Sequence, residues 1–171
     1  MRLIFGFILL TALSVCAFGQ KTKSMAINFT AADMAGETVD LDSLRGKVVV
    51  MTFWSTNCTI CTSEIPKLNQ MVEVYRGKDV VFLAITTENP AKVQNYLKAK
   101  PFNFQIVPNS FGVLLKYADK DTSGNINFGF PTHFLINQDG EIELKTNGFD
   151  KTDLLHKQIN KLLINNTVKV E

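Results

Sequence analysis

The period of the apolar positions changes several times along the chain, and each change marks an element. Leu3–Val15 is apolar except at Gly6, Thr11 and Ser14, with Met1-Arg2 before it and Ala17-Phe18-Gly19 after it. Ile27–Ala31 and Thr38–Leu41 flank Gly36 and predict a small leading hairpin. Asp42–Lys47 reads as a loop with room for one helical turn. Val48–Phe53 is an unbroken β-branched and apolar run, as expected of a strand buried on both faces. The period then turns helical: Cys61, Ile65, Leu68 and Val72 form a stripe at alternating fours and threes, in a helix opened by Cys58 and stopped by Gly77.

Val80–Thr86 predicts a second buried strand, and Asn89-Pro90 starts a helix over Pro90–Lys100. A short strand at Phe104–Val107, a helix at Phe111–Tyr117 and a polar loop from Asp119 to Asn127 follow. Thr132–Ile136 and Glu141–Lys145 flank Asp139-Gly140, a strong two-residue hairpin signal. Asp150 is placed to cap a closing helix through Leu163, with Leu154, Leu155, Ile159, Leu162 and Leu163 toward the sheet. Strands alternating with helices, then a hairpin and a last helix, predict an α/β layer sandwich with a mixed sheet.

The first apolar run changes the domain picture. A basic start, an apolar centre and small residues at Ala17 and Gly19 read as a secretory signal over residues 1–19. A retained membrane tether is the alternative, although the run is shorter than the about 20 residues a span prefers. Lipidation at Cys16 is a third reading, with Val15 where such sites usually carry a small residue. Each reading puts the domain outside the cytoplasm, in the periplasm or on the outer face of the cytoplasmic membrane, where disulfides persist. Residues 20–165 then form one domain and 166–171 a tail. Lys plus Arg number 18 and Asp plus Glu 16, so the charge of +2 gives no general pull toward nucleic acid.

The cysteines carry the chemistry. Cleavage after Gly19 leaves Cys58 and Cys61, too few for a zinc site without two more ligands, and His133 and His156 are not spaced as a pair. The pair is therefore a redox couple or two buried thiols. Within a regular helix, side chains three apart lie about 5–6 Å apart at Cβ, against the roughly 3.5–4.5 Å of a disulfide. At a helix start Cys58 is not yet helical and can lean over Cys61. Free N–H groups and the positive dipole end there favour a Cys58 thiolate, while Cys61 sits on the core stripe as a sheltered resolving thiol.

Phe53-Trp54-Ser55-Thr56-Asn57-Cys58-Thr59-Ile60-Cys61 resembles the active-site stretch of the thioredoxin superfamily. The span Ile27–Leu163 is similar to its exported TlpA/ResA-like branch of thiol-disulfide oxidoreductases. Supporting segments are Asn28-Phe29-Thr30, Gly36–Leu41, Leu44–Val50, Glu64-Ile65-Pro66, and Gly129–Ile136 followed by Asp139-Gly140. The resemblance implies a thioredoxin-like mixed sheet flanked by helices, with an N-terminal β-hairpin and a central αβ insertion. It implies a redox-active Cys58–Cys61 disulfide in place of any separate cofactor, and no metal.

The same resemblance implies a cis bond before Pro131 that leaves the Phe130 backbone open to an extended substrate strand. It also implies that Glu64 lies near the cysteines and manages their proton, with a solvated helix glutamate as the plain alternative. Thioredoxin keeps a buried acid where this chain has Thr52, so Glu64 is the one acid candidate. Trp54, the sole tryptophan, joins Phe130 and Pro131 as an expected substrate contact and redox reporter, with packing the alternative. Pro66 is expected to kink the helix or end its first segment.

Thr59-Ile60 and Asn57 depart from the family pattern and leave the direction of electron flow open. Asp119, Asp121, Ser123, Gly124 and Ile126 echo a calcium loop, but Phe130 stands at its bidentate acid position, so a polar substrate rim is the preferred reading. His133 is expected to pack. The leading function is an exported reductase of protein disulfides, with apocytochrome c among the targets and a membrane thiol donor upstream. The alternatives are an oxidase or isomerase using the same residues, or a non-enzymatic docking or copper module. A peroxiredoxin-type peroxidase would want proline where Met51 stands.

Overall fold

The computed structural model describes residues 24–170, with side chains through residue 165; the leader segment with Cys16 lies outside the described residues. The chain enters through β1 (Thr30–Ala32) and β2 (Thr38–Asp40), an antiparallel pair matching the expected hairpin. A 3-10 turn at Leu41–Leu44 leads to β3 (Val48–Phe53), in which all six side chains are buried. Then come α1 (Thr59–Val74), β4 (Val80–Ile85), α2 (Pro90–Ala99), β5 (Gln105–Val107) and α3 (Phe111–Tyr117). The short β6 (Asp119–Lys120) and β7 (Ile126–Asn127) precede β8 (Thr132–Ile136), β9 (Ile142–Asn147) and α4 (Thr152–Val170).

The central sheet has the order β5-β4-β3-β8-β9. β4 and β5 run parallel to β3, and β8 runs antiparallel to it, so the sheet is mixed. β5 arrives with α2 as the expected αβ insertion and extends the parallel edge. Gly140 lets the β8–β9 connection turn at φ 81°, where an added Cβ would collide with the Arg45 guanidinium.

Successive strand side chains face opposite sides, so β3 feeds two cores. Val48 and Val50 pack with Ile65, Leu68 and Met71 of α1 and Leu155 and Ile159 of α4. Val49, Met51 and Phe53 pack with Val113, Leu114 and Tyr117 of α3 and with Phe134 and Ile136. Phe53 lies edge-on to Phe128 and Phe134, at 4.9 and 5.8 Å between ring centres. Truncating a fully buried residue such as Leu155 to Ala costs about 2–5 kcal/mol.

Several expectations need correction. The α1 stripe runs Cys61, Glu64/Ile65, Leu68, Met71, with Met71 taking the place foreseen for Val72. The helix continues through Pro66 to Val74, because the lost N–H costs one bond while both flanks stay packed. The polar loop contains the β6–β7 pair, whose turn is closed by Asp121 accepting from the N–H groups of Ser123 and Asn125. Asp150 does not cap α4 from a helix-start geometry: its backbone is left-handed, at φ 61°. Leu154 is exposed, and α4 extends to Val170 instead of ending at Leu163.

Candidate active site

The disulfide forms where β3 gives way to α1. Cys58 and Cys61 are bonded, with Cα atoms 5.2 Å apart. Cys58 is the N-cap, with extended backbone, and its Sγ accepts from the Cys61 N–H at 3.0 Å. Its φ of −88° and ψ of 103° are the non-helical geometry that lets the first cysteine lean over the second. Cys58 is partly exposed whereas Cys61 is 3% exposed. A helix-start N–H aimed at Sγ stabilises a thiolate there.

The segment leading to Cys58 is held by Glu88, which follows β4. Its carboxylate accepts from the Thr56 N–H at 2.8 Å, the Thr56 hydroxyl at 2.7 Å and the Ser55 hydroxyl at 3.2 Å. Lys92 pairs with it at 2.6 Å. Burial pushes the Glu88 carboxyl up, but Lys92 and the Thr56 donors together outweigh it and hold the group below its ordinary value. No sequence signal marked Glu88, because its partners lie on another strand's exit.

Glu64 is 1% exposed, on the inward stripe of α1 one turn beyond Cys61. Its Oε1 accepts from the N–H groups of Asp150 and Lys151, so the left-handed turn before α4 exists beside a buried acceptor. Its Oε2 faces His133 Nε2 at 3.5 Å. His133, also 1% exposed, was expected merely to pack; it instead meets Glu64 on one side and Thr52 on the other, with Thr52 Oγ1 2.9 Å from Nδ1. The signal was there in part: Thr52 stands at the position where thioredoxin carries its buried acid.

The Phe130–Pro131 peptide bond is cis. The β8 ladder to β9 begins at Thr132↔Asn147, which leaves Phe130 outside it, and Thr132 pairs with Phe53 at the end of β3 that leads to the disulfide. Phe130 is half-buried and packs with the core that also receives Cys58. Trp54 requires a correction. It is 1% exposed, stacked among Tyr96 and Phe102 at 5.4 and 5.3 Å, so its ring underlies the site and offers no surface to a substrate. Among the described residues, no group of three or more His, Cys, Asp or Glu side chains is placed to hold a metal ion.

A disulfide-bonded CxxC pair at the start of the helix after the central strand, with a cis-proline immediately before the adjacent strand β8, defines a thioredoxin-like thiol-disulfide oxidoreductase. The chain belongs to the AhpC/TSA family, which matches residues 22–145. It is similar to the thiol-disulfide oxidoreductase ResA of Bacillus thuringiensis subsp. konkukian, 30% identical over 138 residues, covering 80% of this chain and 76% of that protein. ResA of Bacillus subtilis is 28% identical over 138 residues, covering 80% and 73% respectively. Among solved structures, a Chlorobium tepidum protein assigned as the thiol:disulfide interchange protein DsbE superposes with a TM-score of 0.71 at 26% identity, covering 82% of this chain and 96% of that one.

Proposed function

We propose that the chain is an exported reductase of protein disulfides. The observation that carries this reading is the unequal placement of the two cysteines: a partly exposed N-cap cysteine and a buried partner with a carboxylate one turn on. The Cys58 thiolate attacks one sulfur of a substrate disulfide, and the first substrate thiolate leaves. The Cys61 thiol gives its proton to Glu64 and its sulfur displaces the second substrate thiolate from Cys58. The substrate gains two electrons and the Cys58–Cys61 disulfide is restored.

Phe130 and Pro131 offer the docking edge for an extended substrate segment. A membrane thiol donor re-reduces the pair, from the periplasm or the outer membrane face, with the N-terminal segment serving as cleaved leader or as tether. Apocytochrome c thiols are one target class that suits this chemistry. The test is the reduction potential of Cys58–Cys61, read through Trp54 fluorescence in thiol buffers. A value near roughly −270 mV fits a reductase, whereas one near about −120 mV reverses the electron flow and makes the chain an oxidase. In parallel, Cys61→Ala should accumulate a stable mixed disulfide with a cystine-containing protein substrate.

A further inference from the structure

Two buried polar atoms, one on α1 a turn beyond Cys61 and one on β8, face each other with no hydrogen-bond partner: Glu64 Oε2 and His133 Nε2. Native interiors pair nearly all such atoms, so each exception calls for a physical reason. Their separation of 3.5 Å exceeds the roughly 2.7–3.2 Å of an N–H···O bond. Everything else about the two groups is pinned. Glu64 is anchored through Oε1 by the Asp150 and Lys151 N–H groups. His133 is anchored through Nδ1 by Thr52, its register partner across β3 and β8. A Thr hydroxyl can accept from Nδ1–H, which leaves a lone pair on Nε2. In that tautomer two acceptors, Oε2 and Nε2, confront each other, and one proton shared between them satisfies both.

We propose that His133 is a positioning residue for the proton step, and that the Oε2–Nε2 gap is a one-proton site filled from Cys61 during disulfide closure. This rests on the reading of Cys58–Cys61 as the exchanging pair with Glu64 as proton acceptor. As Cys61 Sγ forms its bond to Cys58 Sγ, the thiol proton passes to Glu64 Oε2 and is held there by Nε2. The electron pair of the Cys58–substrate bond leaves with the substrate thiolate. When a donor dithiol reopens the disulfide, the proton returns to Cys61. Thr52 completes the device by fixing which ring nitrogen faces the carboxylate.

The ionisable groups around the pair are few. On α1 they are Cys58, Cys61 and, toward the surface, Lys67, which is paired with Asp150 of the turn before α4 at 2.6 Å; that turn and the start of α4 add Lys151, whose N–H reaches Glu64, and Asp153, which Lys67 also senses. β3 contributes Thr52, β9 contributes Thr146 as the register partner of His133, and the first turn of α4 buries Thr152 and Leu155. None of these last four carries charge, so the pH response of the closing step is read against the same step in Glu64→Gln, which keeps both cysteines.

The full reduced chain is mixed with 5,5′-dithiobis(2-nitrobenzoate). One coloured thiolate is released as Cys58 attacks and a second as Cys61 closes the ring. In His133→Asn, which keeps an amide for Thr52 but lacks Nε2, the second phase should slow about tenfold. Its pH profile should move to that of Glu64→Gln, while the first phase is unchanged. The double variant should be no slower than Glu64→Gln alone. A merely structural His133 would leave the pH profile in place and give effects that add, which overturns the proposal. Loss of the first phase in the unmutated chain would instead overturn the exchange reading itself. Should His133→Asn not fold, 15N spectra of the unmutated chain decide. His133 nitrogens that differ between oxidised and reduced forms support the proposal, with His156 as the steady control. His133 signals identical in both forms from pH 5 to 9 overturn it.

Discussion

Glu88 and Glu64 both serve the segment around the disulfide, and they are built in opposite ways. Glu88 reaches the loop before Cys58 from the end of β4 and is covered by donors: Ser55, Thr56 twice, and Lys92. Glu64 lies on α1 one turn after Cys61, with one oxygen held by backbone N–H groups and the other 3.5 Å from an imidazole nitrogen. A carboxylate with every lone pair occupied holds a loop still and stays ionised. One with a spare, buried oxygen is able to take a proton. The contrast separates the part of the site that fixes geometry from the part to which the proposed mechanism assigns the proton.

The largest expected effect comes from exchanging the roles in an assay. Glu64→Gln keeps the acceptor for Asp150 and should slow disulfide closure about 10²-fold with little change in unfolding midpoint. Stopped-flow release of the two thiolates, beside a denaturant melt, measures both. If Glu64→Gln loses stability and not rate, the contrast is broken. Glu88→Ala should do the reverse. It leaves two Thr56 donors and Lys92 without their acceptor, at a cost of about 1–3 kcal/mol in urea unfolding, with the pH profile of closure retained.

Acid sharpens the same contrast. Glu88 ionises below its ordinary 4.5 in the folded chain. Its ionised contacts therefore stabilise fully above pH 4.5 and fade as pH falls through the lowered folded value. Below pH 4.5 the native chain should lose stability more steeply than Glu88→Gln, as thermal melts in a pH series would register. Equal slopes would mean that the carboxylate is not held as an ion. The smallest effect is expected from Lys92→Met, about 0.2–1 kcal/mol, because this cation is 42% exposed and salt-screened.

Much of the frame was legible in the chain because its signals are local. The six-residue run of β3, the helix stripe after Cys58, the Asp139-Gly140 turn and the paired cysteines each depend on neighbours within a few residues. The family resemblance added the cis bond at Phe130–Pro131, which composition and spacing could not supply. Misreadings fell where two acceptable local patterns compete. Val72 and Met71 both fit a helical stripe, and only packing on the sheet selects Met71. Asp150 looks like a helix cap by type, yet its N–H is drawn to a carboxylate that comes from α1.

The site divides along the same line. Cys58 and Cys61 were readable because their chemistry needs only three residues of chain and a helix start. Glu64 was nameable through the family resemblance, at its place three residues after Cys61, though its burial was not. His133 and Glu88 were invisible as site residues, since each meets its partner through the register of separate strands and helices. The sequence by itself determined the alternation of strands and helices and the exchanging sulfur pair, since short-range periodicity and capping encode both. Only the tertiary structure decided which buried polar atoms meet. That outcome depends on β8 lying beside β3 in a register that turns Thr52 and His133 toward the same helix face as Glu64.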